Sequence, residues 1–373
     1  MRVLIAPDGY KGSLEAVAAA AAIARGWAAV RPDDVLDVCP LSDGGEGFLT
    51  ALGAGGTWGR ALVPGPLGEP VEAPWVRLPD GLTVAVELSA AAGLTQVPPD
   101  RRDPLLTTTY GVGALIAAAW AERPFERLVL GLGGSATVDG GAGLLEALGV
   151  RLLDAGGRAV ARGGGGLADL AAIALDGCHP VLRSCAITVA CDVDHPLLGA
   201  AGAAPVFGPQ KGADPARVRH LELGLTRWAA ALEAATGVAT GDVPGTGAAG
   251  GVLAGLLAVA GATRASGFEL VAEAAGLDAR LARAELVLTG EGRLDATSFG
   301  GKVAGRLASR CQARGLRCLV IAGGVTPEGE ALLAAAGGAA LPLVAGPTSL
   351  EAACAGAGEL LEAAAGRLAR LVG

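Results

Sequence analysis

The same local texture stands at both ends of this 373-residue chain: a short apolar run, a polar loop containing glycine, then an alanine-rich helical stretch. "RVLIAPD" (2–8) reads as a strand and "SLEAVAAAAAIARGWAAV" (13–30) as a helix, with Ser13 as its N-cap and Glu15 in its first turn. "VLDVCP" (35–40) is a second strand, and "SDGGEG" (42–47) leads from it into another helix. After residue 284 the alternation returns as strand "ELVLTG", helix, strand "RCLVIAGG", helix, strand "AALPLVAG", helix. This is a βαβ pattern, which predicts an α/β fold with a polar, glycine-containing loop at each strand's carboxyl end. From about Gly59 the texture differs. "VPGPLGEPVEAPWVRLPDGLTVAVEL" is dense in proline and glycine, with a Pro-Asp-Gly turn between short β runs, and predicts antiparallel strands. The expected architecture is a Rossmann-like domain made of residues 1–58 and 285–373, interrupted by a second α/β domain over 59–284. Within that insert, helices are expected near 107–121, 141–148, 214–235, 247–261 and 268–283, and strands at "RLVLGLG" and "CAITVACD".

Several function classes are disfavoured by composition. A net charge of −8 argues against a nucleic-acid partner, which needs a basic face. The longest uncharged run, Val243 to Thr263, contains Pro244 and six glycines and reads as a buried helix with its entry loop, so no membrane association is expected. "VLIA" near the N-terminus is too short for a signal peptide. Seven cysteines lie scattered without a CxxC pair, as expected of small core residues in the cytoplasm.

Of 29 basic residues only Lys11, Lys211 and Lys302 are lysines. The arginine bias and the excess of alanine and glycine look like a GC-rich coding background, which makes the surviving lysines informative. Each stands beside glycine, in "YKGS", "QKGA" and "GGKVA". Lys11 occupies the loop between the first strand and its helix, where free amides and a compact ammonium suit a phosphate or carboxylate. Asp43 and Glu46 flank two glycines at a strand end and suit Mg²⁺, which takes one or two carboxylates with water and phosphate oxygens.

"GLGGSATVDGGAG" (131–143) matches G-x-G-x-x-A, and Asp154 stands near the spacing of a ribose-binding acid, giving an NAD-dependent hydroxy-acid dehydrogenase as one alternative. The small residues run on past the third position, however, and Gly133, Gly134, Ser135 and Thr137 look more like a phosphate cradle. Asp192 and Asp194 lie just past a buried strand, and "FGPQKGA" brings Gln210 and Lys211 to a helix start. "LTGEGRLDATSFGGK" packs Glu291, Arg293, Asp295, Ser298 and Lys302 into a strand–helix junction. There is no Walker P-loop, protein-kinase signature or H-E-x-x-H, and His179, His195 and His220 are read as structural.

"IAPDGYKGSL", "LSDGGEGFL", "TTTYGVGALI", "GLGGSATVDGGAG", "ACDVDHPLLG", "FGPQKGA", "PGTGAAGG" and "TGEGRLDATSFGGK", in this order along nearly the whole chain, resemble the bacterial glycerate kinases. The resemblance implies ATP- and Mg²⁺-dependent phosphorylation of D-glycerate in glyoxylate, glycolate or aldarate breakdown, 2-phosphoglycerate being favoured over 3-phosphoglycerate. It also implies an active site in the cleft between the two domains. Phosphoryl transfer asks for amide cradles, cations, a metal and a carboxylate that takes the hydroxyl proton. Under this reading Asp192 is the base with Asp295 as rival, and Lys11 and Lys211 act at the reacting groups. Asp43 and Glu46 hold the metal. Ser13, Gly133, Gly134, Ser135, Thr137, Gln210, Glu291, Arg293 and Lys302 bind phosphate or glycerate carboxylate. A further alternative is a regulator that senses nucleotide without turnover.

Overall fold

The computed structural model describes residues 1–45 and 47–372. In chain order the strands are β1 (Arg2–Ile5), β2 (Val35–Val38), β3 (Thr57–Pro64), β4 (Pro70–Arg77), β5 (Thr83–Glu87), β6 (Arg127–Gly131), β7 (Arg151–Leu153), β8 (Ala172–Ala174), β9 (Ala186–Ala190), β10 (Thr263–Ala265), β11 (Leu286–Leu294), β12 (Arg317–Val325) and β13 (Ala339–Pro342). Two compact units are formed. One comprises Met1–Leu52 with Gly267–Gly373, the other Gly53–Ser266. Helices Gly267–Ala274 and Leu277–Leu281 therefore lie with the chain ends, on the other side of the boundary expected at 284/285.

In the first unit the sheet order is β13-β12-β11-β1-β2, and every pairing is parallel. Taken in chain order within the unit this is the 2-1-3-4-5 arrangement of flavodoxin-like sheets, whose switch point falls between β1 and β11. Val3 and Ile5 alternate onto one face, where helices Ala16–Ala28 and Ala357–Leu371 cover them around Ala19, Ile23, Trp27, Leu361 and Ala365. Those helices cross closely because position 26 is glycine: a Cβ there would stand 1.9 Å from the Glu362 carbonyl oxygen.

The second unit is built on a mixed sheet, β10-β9-β6-β5-β4-β3. The β10–β9, β9–β6 and β6–β5 pairs are parallel, and β5–β4 and β4–β3 antiparallel. The Pro-Asp-Gly turn joins β4 to β5 as its chemistry demands, the Asp80 carboxylate accepting from the N–H groups of Leu82 (2.8 Å) and Thr83 (2.9 Å). Helices Tyr110–Glu122, Ala142–Ala147, Pro215–Thr236 and Val252–Ala260 supply the rest of a single apolar core centred on Trp75, Leu115, Leu144 and Trp228. β7 and β8 pair antiparallel in a separate two-stranded sheet, and Leu153 of β7 also bridges Ala159. Among the described residues no helix is long and apolar enough to cross a membrane.

Candidate active site

In the first unit three carboxylates gather at the carboxyl ends of adjacent parallel strands. Past β1 the chain stays alongside β11, with Ala6 N–H donating to the Leu288 carbonyl (2.7 Å) and Asp8 N–H to that of Gly290 (2.9 Å). Asp8 is thereby brought to the switch point beside Glu291, and the chain after β2 is held there by Leu41 N–H on the Pro7 carbonyl, 3.0 Å. The crowding shows in the proton affinities. Burial, with Asp43 and Glu291 adding repulsion, pushes the Asp8 carboxyl up to about 8. Burial does the same to Glu291, up to about 7, with Asp295 and Asp43 contributing. Lys302 Nζ stands 4.0 Å from Glu291 Oε2, while Glu291 Oε1 is buried without a hydrogen-bond partner.

Tyr10 anchors the loop beneath this cluster. Its buried hydroxyl donates to the Ile321 carbonyl at 2.6 Å and lies against Gly290, where a Cβ would come within 2.1 Å of it. The turn that carries exposed Lys11 is closed by Tyr10 and Leu14, and Ser13 Oγ donates to the Tyr10 carbonyl (2.9 Å). Ser13 is therefore not the expected N-cap. The helix starts at Ala16, behind Glu15, with no side-chain cap, because Ser13 is spent on closing the turn.

β11 is also longer than expected. It pairs with β12 as far as Leu294–Val325, so Glu291 and Arg293 are strand residues and the junction begins only at Asp295. Asp295 Oδ1 accepts from Thr297 N–H (2.9 Å) and the Thr297 hydroxyl (2.5 Å), and Ser298 Oγ accepts from Asp295 N–H (3.1 Å), a reciprocal cap. Arg293 lies 3.4 Å from Asp295 Oδ2. These bonds hold the Asp295 carboxyl below its ordinary value, the Thr297 hydroxyl contributing most. Such a carboxylate is a turn-builder and a poor proton acceptor. Lys302 occupies the N-cap position of helix Val303–Gln312.

In the second unit the 131–143 segment leaves β6 and folds over the starts of two helices. Its organiser is Asp139, which is buried. Oδ2 accepts from Thr109 N–H (2.8 Å), Thr109 Oγ1 (2.9 Å), Thr108 Oγ1 (3.4 Å) and Gly143 N–H (3.4 Å), and Oδ1 from Gly141 N–H (3.1 Å). Burial raises the carboxyl above its ordinary value, against the pull of those donors. Lys211, only 2% exposed, donates to Ser135 Oγ and to the Thr137 carbonyl, each at 2.7 Å. Gln210 precedes it, exposed, in the turn Pro209–Lys211. Asp192 follows β9, partly buried, and Asp194 is exposed and ion-paired with Arg264 at 2.6 Å.

The dinucleotide reading of 131–154 does not survive. Its second strand, β7, never joins β6, and Asp154 accepts from Gly156 N–H (2.8 Å) and Arg158 N–H (2.9 Å) in a tight turn, leaving no ribose crevice.

Glu46 lies outside the described residues. Among the described residues no three His, Cys, Asp or Glu side chains are disposed to hold a metal ion. A closed cage is not what Mg²⁺ requires, since it keeps waters and substrate oxygens in its shell. The crowded acids, with Lys302 as the cation acting on Asp8 and Glu291, and the orphaned Glu291 oxygen suit a further cation at these strand ends. A cavity of about 520 Å³ lined by Leu4, Leu36, Asp37 and Arg280 contains none of the candidate residues. Sequence reasoning did not single out Asp8, Tyr10 and Asp139, which the structure places among the candidate residues. For Asp8 the signal was present, an acid directly after an apolar strand; for Asp139 it was hidden among glycines.

A sequence profile of the glycerate kinase family matches residues 3–373. Glycerate 2-kinase of Escherichia coli K12 is 43% identical over 330 residues, 88% of this chain and 86% of that protein. A glycerate kinase of Bacillus subtilis 168 is 42% identical over 365 residues, covering 97% and 95%. The solved structure of a candidate glycerate kinase 2 from Salmonella typhimurium LT2 superposes with a TM-score of 0.87 at 41% identity, over 100% of this chain and 98% of that one. A match that spans both units, at this level of identity and with this agreement in fold, has one meaning: the chain belongs to the glycerate kinase family, phosphotransferases that use an alcohol group as acceptor.

Proposed function

We propose that this protein transfers the γ-phosphoryl group of ATP to a hydroxyl of D-glycerate by direct in-line displacement, giving 2-phosphoglycerate. The carrying observation is the set of acids Asp8, Asp43 and Glu291 at the switch point of a parallel sheet, balanced by little positive charge besides Lys302. Such a site is short of cations, and Mg²⁺ would supply charge neutralisation when bound with ATP. Asp43 and Glu46 are the residues proposed to hold it.

Lys11 and Lys302 present ammonium groups to phosphate or to the glycerate carboxylate, and Arg293 adds a charge that is 70% exposed despite its ion pair. Gly133, Gly134 and Ser135 receive phosphate oxygens on amides and the serine hydroxyl, while Thr137, fully buried, shapes the loop from within. Asp192, at the carboxyl end of β9, takes the proton of the attacking hydroxyl; Asp295, its rival, is committed to its turn. Ser13 stabilises the Lys11 loop and makes no contact of its own with substrate. The described cysteines are all free, which supports a cytoplasmic location.

The test is ADP release coupled to a spectrophotometric readout, with and without D-glycerate, followed by ³¹P resonance assignment of the product. ADP formation that depends on D-glycerate, with phosphorus on the 2-hydroxyl, is expected. Nucleotide binding without turnover would point to the sensing role, and a 3-phosphorylated product would overturn the regiochemistry alone.

A further inference from the structure

Lys211 is the most deeply buried cation in either unit, and what surrounds it decides how it can act. It ends the turn Pro209–Lys211, and Gly212 behind it has φ +97°, with no room for a Cβ against the Arg102 carbonyl 2.1 Å away. The side chain runs inward to Ser135 Oγ and the Thr137 carbonyl, both 2.7 Å from Nζ, with the Phe207 ring centroid at 5.9 Å. Asp139 is the charged group that acts on it, and its own oxygens are filled by Thr108, Thr109, Gly141 and Gly143. Two of the three ammonium hydrogens are committed to these acceptors, and at 2% exposure the third is shut off from solvent.

The loop it holds is unusually short of partners. Among the described residues the N–H groups of Gly133, Gly134, Ser135, Thr137 and Val138 meet no acceptor, and buried Thr137 Oγ1 is unpaired. Ser135 Oγ accepts from Lys211, so its single hydrogen is left to donate elsewhere. The Thr137 carbonyl is pulled toward Lys211, which turns the N–H of the same peptide plane, that of Val138, the opposite way.

We infer that Lys211 is a positioning residue: it locks the 133–138 loop from behind and fixes the Ser135 hydroxyl as a donor for the phosphate that the loop binds, without meeting that phosphate itself. The inference rests on the phosphoryl-transfer reading, and revises the expectation that Lys211 acts at the reacting groups. Its chemistry is separable from turnover, because anion binding by the loop precedes any reaction.

A double-mutant cycle on binding of the non-hydrolysable ATP analogue AMP-PNP with Mg²⁺, measured by calorimetry, tests it. Lys211→Met and Ser135→Ala each weaken binding by about tenfold, the scale of one charge-assisted hydrogen bond. The double variant stays within about threefold of the weaker single one, since the lysine acts through the serine. Losses that multiply to about a hundredfold would mean that Lys211 meets phosphate directly, and would overturn the inference. A pH series supplies the second readout. Burial lowers the Lys211 ammonium to about 7, so the parent loses affinity as pH rises through that value. The same loss is absent in Lys211→Met and in Ser135→Ala. Should Lys211→Met fail to fold, as judged by circular dichroism, the pH series on the parent and Ser135→Ala decides alone: a drop retained in Ser135→Ala removes the link. If the binding pattern holds while no ADP depends on D-glycerate, the proposed reaction fails and the inference stands. A parent that binds no AMP-PNP overturns both.

Discussion

Replacing Asp139 by alanine tests whether the second unit depends on one buried carboxylate to start two helices. In the parent that side chain receives Thr109 N–H at 2.8 Å, just before helix Tyr110–Glu122, and Gly141 N–H at 3.1 Å, just before helix Ala142–Ala147. The threonine hydroxyls can turn to other acceptors, but the backbone N–H groups of Thr109, Gly141 and, at a longer 3.4 Å, Gly143 cannot. Each buried donor left without a partner costs about 1–3 kcal/mol. Lys211 also loses its charged counterpart, while removal of a desolvated carboxylate returns part of the cost. The net expectation is a loss of about 3 kcal/mol. Guanidinium unfolding followed by tryptophan fluorescence is a suitable assay, because Trp228 Nε1 donates to the Gly140 carbonyl (2.9 Å) next to Asp139. With two units the transition need not be two-state, so the quantity to compare is the midpoint and slope of the step reported by the second unit's tryptophans, Trp58, Trp75, Trp120 and Trp228. A loss below about 1 kcal/mol would refute the claim that this carboxylate organises both helix starts.

Gly290→Ala should destabilise the first unit by about 1–3 kcal/mol, because the new Cβ would fall 2.1 Å from the Tyr10 hydroxyl and 2.4 Å from the Ile321 carbonyl; parent-like thermal unfolding would show that the contact relaxes freely. Lys11→Arg and Lys302→Arg should each lower kcat/KM by about tenfold or more, with Lys11→Arg leaving Tm unchanged since Lys11 is exposed; full activity in both would make these lysines bystanders. Asp43→Asn should raise the Mg²⁺ concentration needed for half-maximal rate more than it raises KM for D-glycerate, and an unchanged Mg²⁺ requirement would remove Asp43 from the metal site.

The parallel sheet was legible because each of its strands is a compact apolar run followed by glycine or a polar turn, from "RVLIAPD" to "AALPLVAG". The Pro-Asp-Gly hairpin was legible for the same local reason, a turn whose residues specify it. The β7–β8 hairpin was not: each strand has three residues, too few for periodicity to register. Nor was the full length of β11, because "GEGRL" reads as a loop by propensity and becomes strand through register with "AGGV" of β12. The candidate residues themselves were found by type and by adjacency to glycine. Their roles depended on facts that a sequence does not display. Ser13 and Asp295 are consumed by local turns, and Asp8 joins Asp43 and Glu291 only once three strands separated in sequence lie side by side.

Why lysine persists at three positions in a chain that otherwise uses arginine has a separate physical answer at each. At Lys211 the reason is space: the ammonium lies 2.7 Å from both its acceptors in a pocket that leaves it 2% exposed, and a planar guanidinium with five N–H groups would leave several of them buried without acceptors. At Lys302 the reason is geometry at a helix start. The side chain reaches to 4.0 Å from Glu291 Oε2 from the N-cap position, and a bidentate fork there would clamp the Glu291 carboxylate, whose Oε1 has no partner. At Lys11 neither argument applies, for the residue is exposed on a turn fixed by Tyr10 and Ser13. What remains at that position is the ligand: a mobile point charge suits an anion that must be bound and then released, which is why exposed Lys11 is the lysine whose replacement reports on substrate alone.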